Sequence, residues 1–248
     1  MAPRISRNQV VFILAAGIGS RLKELTTNKP KAMVNVGGMP MIDRLLNTLQ
    51  KQEFNQFIVN LHHHGDVLQQ HLEIEFPELN IAFSNERNEL LDTGGAILKI
   101  EPMLEKNTTL LIHNVDVILP FEPIEMLATH LSNKAICTLA VSDRTSSRKL
   151  LFNAKNQLCG WKNVQTGEIR KAINYNPKHR ELAFSGVHWM NSEFYNYNTH
   201  KGRFSIIDSW LTICHDAPIF AFEHKSDGWF DLGTAEKIKD AESKLKVQ

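Results

Sequence analysis

Apolar residues along this chain alternate between two periods. Val10–Ala15, Phe57–Leu61 and Thr109–Val115 are short, nearly continuous apolar runs, the pattern of strands buried on both faces. Between them the spacing turns helical: Ile42, Leu45, Leu46 and Leu49 recur on one face of Met41–Gln50, with Pro40 suited to its start. The same reading predicts helices over Asp66–Ile74 and Glu122–Leu131, a short strand over Ile81–Ser84, and a helix through Ala96 and Leu98 that Asp92 can cap. From about Ala135 strands dominate (Ile136–Val141, Leu150–Phe152, Leu182–Met190), with turn signals at Asn156-Gln157 and Thr166-Gly167. A helix over Ser205–Cys214, a strand over Ile219–Glu223 and a polar helix over Thr234–Lys246 close the sequence. Alternating strands and helices predict an α/β fold, a three-layer αβα sandwich around a mixed, mostly parallel sheet. Residues 1–8 are expected to form a flexible tail. Residues 9–248 are expected to form one domain, with one half over 9–131 and a second over 132–248.

Composition narrows what such a fold can do. The 248 residues carry 28 Lys and Arg against 27 Asp and Glu, so no global field draws nucleic acid or an anionic membrane. Any phosphate recognition must be local. Cys137, Cys159 and Cys214 are odd in number and far apart, which suggests neither a disulfide framework nor a zinc site and points to a reducing cytoplasm. No apolar run approaches bilayer length, and MAPRISRNQ lacks a signal-peptide core.

The chemistry concentrates in Leu14–Lys31, LAAGIGSRLKELTTNKPK, directly after the first strand. Gly17 and Gly19 allow a tight bend that brings backbone N–H groups to phosphate oxygens, while Arg21 and Lys31 supply charge around them. Leu14, Ala15, Ala16 and Ser20 complete this expected nucleotide cradle. A Walker loop is excluded because no Gly-Lys-Ser/Thr follows, and a dinucleotide fingerprint is disfavoured by Leu22 where its third glycine would stand. Asp116 ends the apolar run Leu110–Val115, at the strand end where open α/β sheets bind ligands; on position alone it is equally a turn-starting residue. Thr93-Gly94-Gly95 is either an amide-exposing turn beside a base or simply a helix start.

LAAGIGSRLKELTTNKPKAMV resembles the signature of the sugar nucleotidyltransferases, which move a nucleotide from a nucleoside triphosphate to a sugar 1-phosphate. The resemblance implies a Rossmann-like, GT-A-like fold, a Mg²⁺ ion held by Asp116 and Asp231, and Arg21, Lys31 and Asp116 as the catalytic set. It places Asn114 and Thr93–Gly95 beside the nucleotide, and implies that 9–131 is a nucleotide-binding half and 132–248 a sugar-phosphate-binding half. Asp231 lies in Trp229-Phe230-Asp231-Leu232-Gly233-Thr234, a match to the family's W-x-D-x-G-T segment, whereas Val115 replaces a family glycine. Phe184-Ser185-Gly186-Val187-His188 is similar to a segment lining the sugar pocket, so Ser185 and Gly186 are candidate acceptor residues. The family's Glu-Lys-Pro acceptor segment is absent, leaving Lys162 and Lys171 as stand-ins. The resemblance is weakest over residues 140–180. It is closest to the short members acting as N-acetylmuramate 1-phosphate uridylyltransferases or mannose-1-phosphate guanylyltransferases, and the length suits a stand-alone enzyme, monomeric or homodimeric. The alternatives are GTP with mannose or heptose 1-phosphate, CTP with a phosphocholine-type acceptor, and a catalytically idle regulatory subunit. His62-His63-His64 is discounted as a metal run because adjacent side chains diverge without partner acids. Trp189, Phe194, Tyr195 and Tyr197 are assigned to packing rather than base stacking.

Overall fold

A computed structural model describes residues 8–172, Asn176 and residues 178–245, so the expected tail, apart from Asn8, and Lys246 lie outside the described residues. The first half contains β1 (Gln9–Leu14), β2 (Asn35–Val36), β3 (Met39–Pro40), α1 (Met41–Gln50), β4 (Gln56–Leu61), α2 (Gly65–Glu75) and β5 (Asn80–Asn85). It continues with α3 (Asp92–Lys99), β6 (Thr109–Asn114), β7 (Val117–Ile118) and α4 (Pro123–Ser132). The second half contains β8 (Cys137–Ser142), β9 (Arg148–Phe152), β10 (Leu158–Asn163), β11 (Ile169–Lys171) and β12 (Arg180–Asn191). Then follow α5 (Phe194–Tyr197), α6 (Ile206–Ile213), β13 (Ile219–Glu223), β14 (Phe230–Asp231) and α7 (Ala235–Leu245).

The central sheet has the order β5-β4-β1-β6-β12-β8-β13, and β12 alone runs against the other strands. Successive side chains of a strand point to opposite faces, so each buried strand feeds both layers. Val11, Ile13 and Leu111 join one core with α1, α2, α4 and α7; Phe12, Leu110 and Ile112 join the other with α3, α5 and α6. This is the expected three-layer sandwich with a mixed, mostly parallel sheet. Local signals set the helix starts: α4 has Pro123 in its first turn and a reciprocal capping box between Glu122 and Glu125.

The second half adds something the periodicity does not indicate. β12 is twelve residues long, and its first residues leave the central sheet to pair with β9, which continues into an antiparallel β10–β11 hairpin. LCGWKN lacks a clean alternation and so gives no strand signal for β10, although the turn that closes it, at Gly167 (φ 74°), is among the turn signals above. Where β12 changes partners its register shifts between Phe184 and His188. Gly186 sits there with φ 83°, and a Cβ would come 2.8 Å from Val117 Cγ2 and 3.1 Å from Asn114 Nδ2. The missing side chain therefore lets β12 close directly against the end of β6.

Candidate active site

The cradle is built on a buried bracket. Asn60, on β4 and 2% exposed, accepts the N–H groups of Ala15 (2.6 Å) and Ala16 (2.9 Å) through Oδ1. Its Nδ2 donates to Glu86 Oε1 at 2.8 Å, and Glu86 Oε2 accepts the Leu91 N–H at 3.1 Å. One polar chain thus joins the end of β1 to the entry of α3. It also corrects the expectation for two cradle amides: those of Ala15 and Ala16 face Asn60. Leu14, Ala16 and Gly17 line the cavity; Ala15 does not. Asn60→Ala would strand two buried N–H donors and one carboxylate oxygen. A loss of about 2–4 kcal/mol in denaturant unfolding is expected, together with a raised KM for nucleotide; an unchanged midpoint would show that the bracket is dispensable.

Gly19 turns the chain with φ 69°, and a Cβ there would come 2.9 Å from Thr26 Cγ2 and 3.2 Å from Lys31 Cβ. The glycine therefore lets the 3-10 turns over Ser20–Thr26 fold back against Lys31. Ser20 and Arg21 are exposed on that turn. Lys31 follows Pro30 and forms an ion pair with Asp116 Oδ2 across the mouth of β6.

The two aspartates meet through a backbone pairing that spacing could not reveal. β14 runs antiparallel to β7 with Asp231 opposite Val117, and the Leu232 N–H donates to the Asp116 carbonyl at 2.8 Å. Burial alone would raise the Asp231 carboxyl. The Lys237 ammonium at 2.5 Å, the Gly233 N–H at 2.9 Å and the nearby Lys31 charge outweigh it and hold the group below its ordinary value, ionised. Arg21 approaches from the other side: a Cβ on Gly233 would come 3.0 Å from Arg21 Nη2 and 2.8 Å from Asp231 Oδ1. Arg21, Lys31, Asp116 and Asp231 thus surround one strand end. Val115 is 4% exposed, and its N–H donates to the Leu14 carbonyl at 3.2 Å, so the side chain replacing glycine is absorbed by the core beside the site. Among the described residues no group of three or more His, Cys, Asp or Glu is placed to hold a metal. The Asp116–Asp231 pair is a hard-oxygen donor set of the size Mg²⁺ takes when phosphates and water complete its shell.

At the other end of the cavity the geometry corrects a second expectation. Thr93 lines it, but Gly94 and Gly95 do not. The Gly94 N–H donates to the Phe204 carbonyl at 2.9 Å. A Cβ at Gly94 would meet the Phe204 ring at 2.2 Å, and one at Gly95 the Gly202 carbonyl at 2.3 Å. The glycine pair therefore seats the 202–204 segment on α3, as a helix start rather than an open amide turn. That segment carries Arg203 into the cavity lining, which Asp92 also joins.

The acceptor candidates divide in the same way. Gly186 adjoins Asn114, itself in the lining. Ser185 is fully buried: its hydroxyl is bonded to His224 Nε2 (2.7 Å), and its carbonyl accepts from Trp229 Nε1 (3.1 Å), so it supports the segment leading to Asp231. Lys162 pairs with Glu181 on the surface sheet at 2.6 Å, outside the cavity. Lys171 lies on β11 at the edge of that sheet. Sequence reasoning missed Asn60, Glu86 and Arg203. An isolated polar residue inside an apolar run (Asn60 in Phe57–Leu61) was the one available signal.

A cavity of about 380 Å³ lies at the carboxyl ends of β1, β4 and β6, lined by Gly17, by Lys31 and Asp116, and by Thr93 and Arg203, while Arg21, Gly19, Ser20 and Asp231 lie outside that lining. Residues 10–152 match the family model described as nucleotidyl transferase. Over 92 residues the chain is 37% identical to the N-acetylmuramate alpha-1-phosphate uridylyltransferase of Caulobacter vibrioides, covering 36% of this chain and 38% of that protein, well under half its length. It is 29% identical over 197 residues to the D-glycero-alpha-D-manno-heptose 1-phosphate guanylyltransferase of Campylobacter jejuni, covering 78% and 81%. A putative glucose-1-phosphate thymidylyltransferase from Bacillus anthracis superimposes with a TM-score of 0.77 at 17% identity, covering 96% of this chain and 95% of that one, a likeness of fold.

Proposed function

The chain belongs to the nucleotidyl transferase family, and from that premise we propose that it transfers a nucleotidyl group from a nucleoside triphosphate to a sugar 1-phosphate, releasing pyrophosphate. The observation that carries this reading is the meeting of Arg21, Lys31, Asp116 and Asp231 around one strand end beside a glycine cradle. Nucleotidyl transfer needs reactant oxygens in line and charge neutralised, with little covalent chemistry from the protein. Arg21 would steady the departing β- and γ-phosphates, and Lys31 would turn from Asp116 toward the reacting phosphate. Asp116 and Asp231 would hold Mg²⁺, which when bound supplies charge neutralisation on the triphosphate. The acceptor phosphate is ionised at neutral pH, so no general base is required.

We assign UTP and N-acetylmuramate 1-phosphate, or a related hexose 1-phosphate, as the substrates, supported by the Caulobacter relative. The longer match to the Campylobacter protein supports GTP with a heptose 1-phosphate as the second reading. Retention of both cations and both aspartates argues against an idle regulatory subunit. Cys137 and Cys159 are buried free thiols, which suits a reducing compartment, and we place the activity in the cytoplasm; among the described residues no helix is long and apolar enough to cross a membrane. The test is a grid of four triphosphates against several sugar 1-phosphates, scored by pyrophosphate release. Turnover of UTP with N-acetylmuramate 1-phosphate is expected; release with no pair would overturn the enzymatic reading.

A further inference from the structure

A phosphate monoester brings about two negative charges to a site that already holds a triphosphate and two carboxylates, so the acceptor side needs a cation of its own. The lysine expected there is elsewhere: Lys162 is spent on Glu181. Other cations of this half are likewise held, Arg170 by Asp208 (2.8 Å), Arg180 by Glu223 (2.5 Å) and Lys237 by Asp231 (2.5 Å). Arg144, in the turn after β8, differs from them. Its Cζ lies 3.8 Å over the Trp229 ring, and Nη2 donates to the Phe184 carbonyl at 2.7 Å. Among the described residues no carboxylate is within ion-pair distance, yet its charge and that of Asp231 interact. Its Nε is buried without a hydrogen-bond partner, a cost that packing alone leaves unexplained. The guanidinium is thus fixed by a ring and a carbonyl, half-buried, with donors at Nη1 uncommitted; it does not line the cavity at the ends of β1, β4 and β6, but adjoins the site through Trp229 and the charge of Asp231.

We propose that Arg144 binds the phosphate of the acceptor; this rests on the reading of the chain as a transferase to a phosphorylated sugar. A planar fork held over an indole is pre-organised for a phosphate in a way a flexible lysine is not. The inference also gives Trp229 a task, holding Arg144 at a fixed height beside Asp231.

The test is initial-rate kinetics of the full chain with UTP and N-acetylmuramate 1-phosphate, or the pair the substrate grid selects. Arg144→Gln is expected to raise the KM for the sugar 1-phosphate about 10- to 100-fold while leaving the KM for the triphosphate within about twofold. Arg144→Lys should restore part of the loss. If both KM values move together with a lowered melting temperature, or neither moves, Arg144 merely packs and the proposal fails; failure of both variants to fold has the same meaning. If the native chain turns over no pair, the functional reading has failed separately. The proposal is then read by calorimetric titration of glucose 1-phosphate into the UTP-loaded chain: weaker binding to Arg144→Gln supports it, and equal or undetectable binding to both proteins overturns it.

Discussion

Asp116→Asn is expected to lower kcat/KM for pyrophosphate release by about 10³-fold while leaving the melting temperature within a few degrees. The substitution keeps the shape of the side chain and removes its charge. Lys31 then loses its ionic partner, and the proposed metal loses one of two carboxylate ligands. The strand end survives because the link to β14 runs through the Asp116 backbone carbonyl, which asparagine retains. Asp231→Asn should be similarly damaging, and the double variant should cost little more than either single one, since the two carboxylates act as a unit. Steady-state assays across a Mg²⁺ series are the measurement. Full activity in Asp116→Asn would remove the carboxylate from the mechanism; fully additive losses in the double variant would separate the two aspartates.

The sequence and the structure differ most where contacts are long-range. β1, β4 and β6 were readable because strands buried on both faces write themselves as apolar runs, and α1 because its buried face repeats at helical spacing. The cradle cations were readable because phosphate chemistry restricts residue type. The role of Gly94 and Gly95 was not, because a glycine before a helix has the same local signature whether a base or Phe204 occupies the space beside it. Ser185 was misplaced for a related reason: a small residue next to a glycine suits a sugar pocket and a buried bond to His224 equally well. Asn60 and Arg144 are held by hydrogen bonds to partners 44 and 40 residues away, a separation that no window of periodicity spans. Asp231 came from family likeness alone, and the β14–β7 pairing supplies its physical basis.

Acid should unfold this protein steeply, through histidines outside the proposed chemistry. His188, on β12, is 2% exposed, packed edge-on to Trp210 and beside Phe184, and neither ring nitrogen has a hydrogen-bond partner. Burial lowers its pKa to about 3, with repulsion from His130 adding to the effect. His113, on β6, is lowered by burial to about 4 despite its bond to the Asn114 carbonyl and the Asp116 charge. In both cases the folded pKa lies below the unfolded value of 6.5, so between pH 6.5 and the folded pKa the unfolded chain takes up protons that the native chain refuses. Stability is therefore intact above pH 6.5 and falls with acidification by ~1.4 kcal/mol per pH unit for each group. By pH 4.5 the two together remove about 5 kcal/mol, a large share of the net stability of an ordinary domain. His188→Phe offers the sharper test, because an aromatic ring of similar size keeps the stacking and carries no proton. Denaturant midpoints at several pH values should show the variant losing ~1.4 kcal/mol less per pH unit than the native chain. At pH 7.5 it should match or exceed the native stability, since a buried polar group without partners is gone. Parallel pH profiles for the two proteins would show that His188 finds a proton partner in solution and does not drive the acid transition.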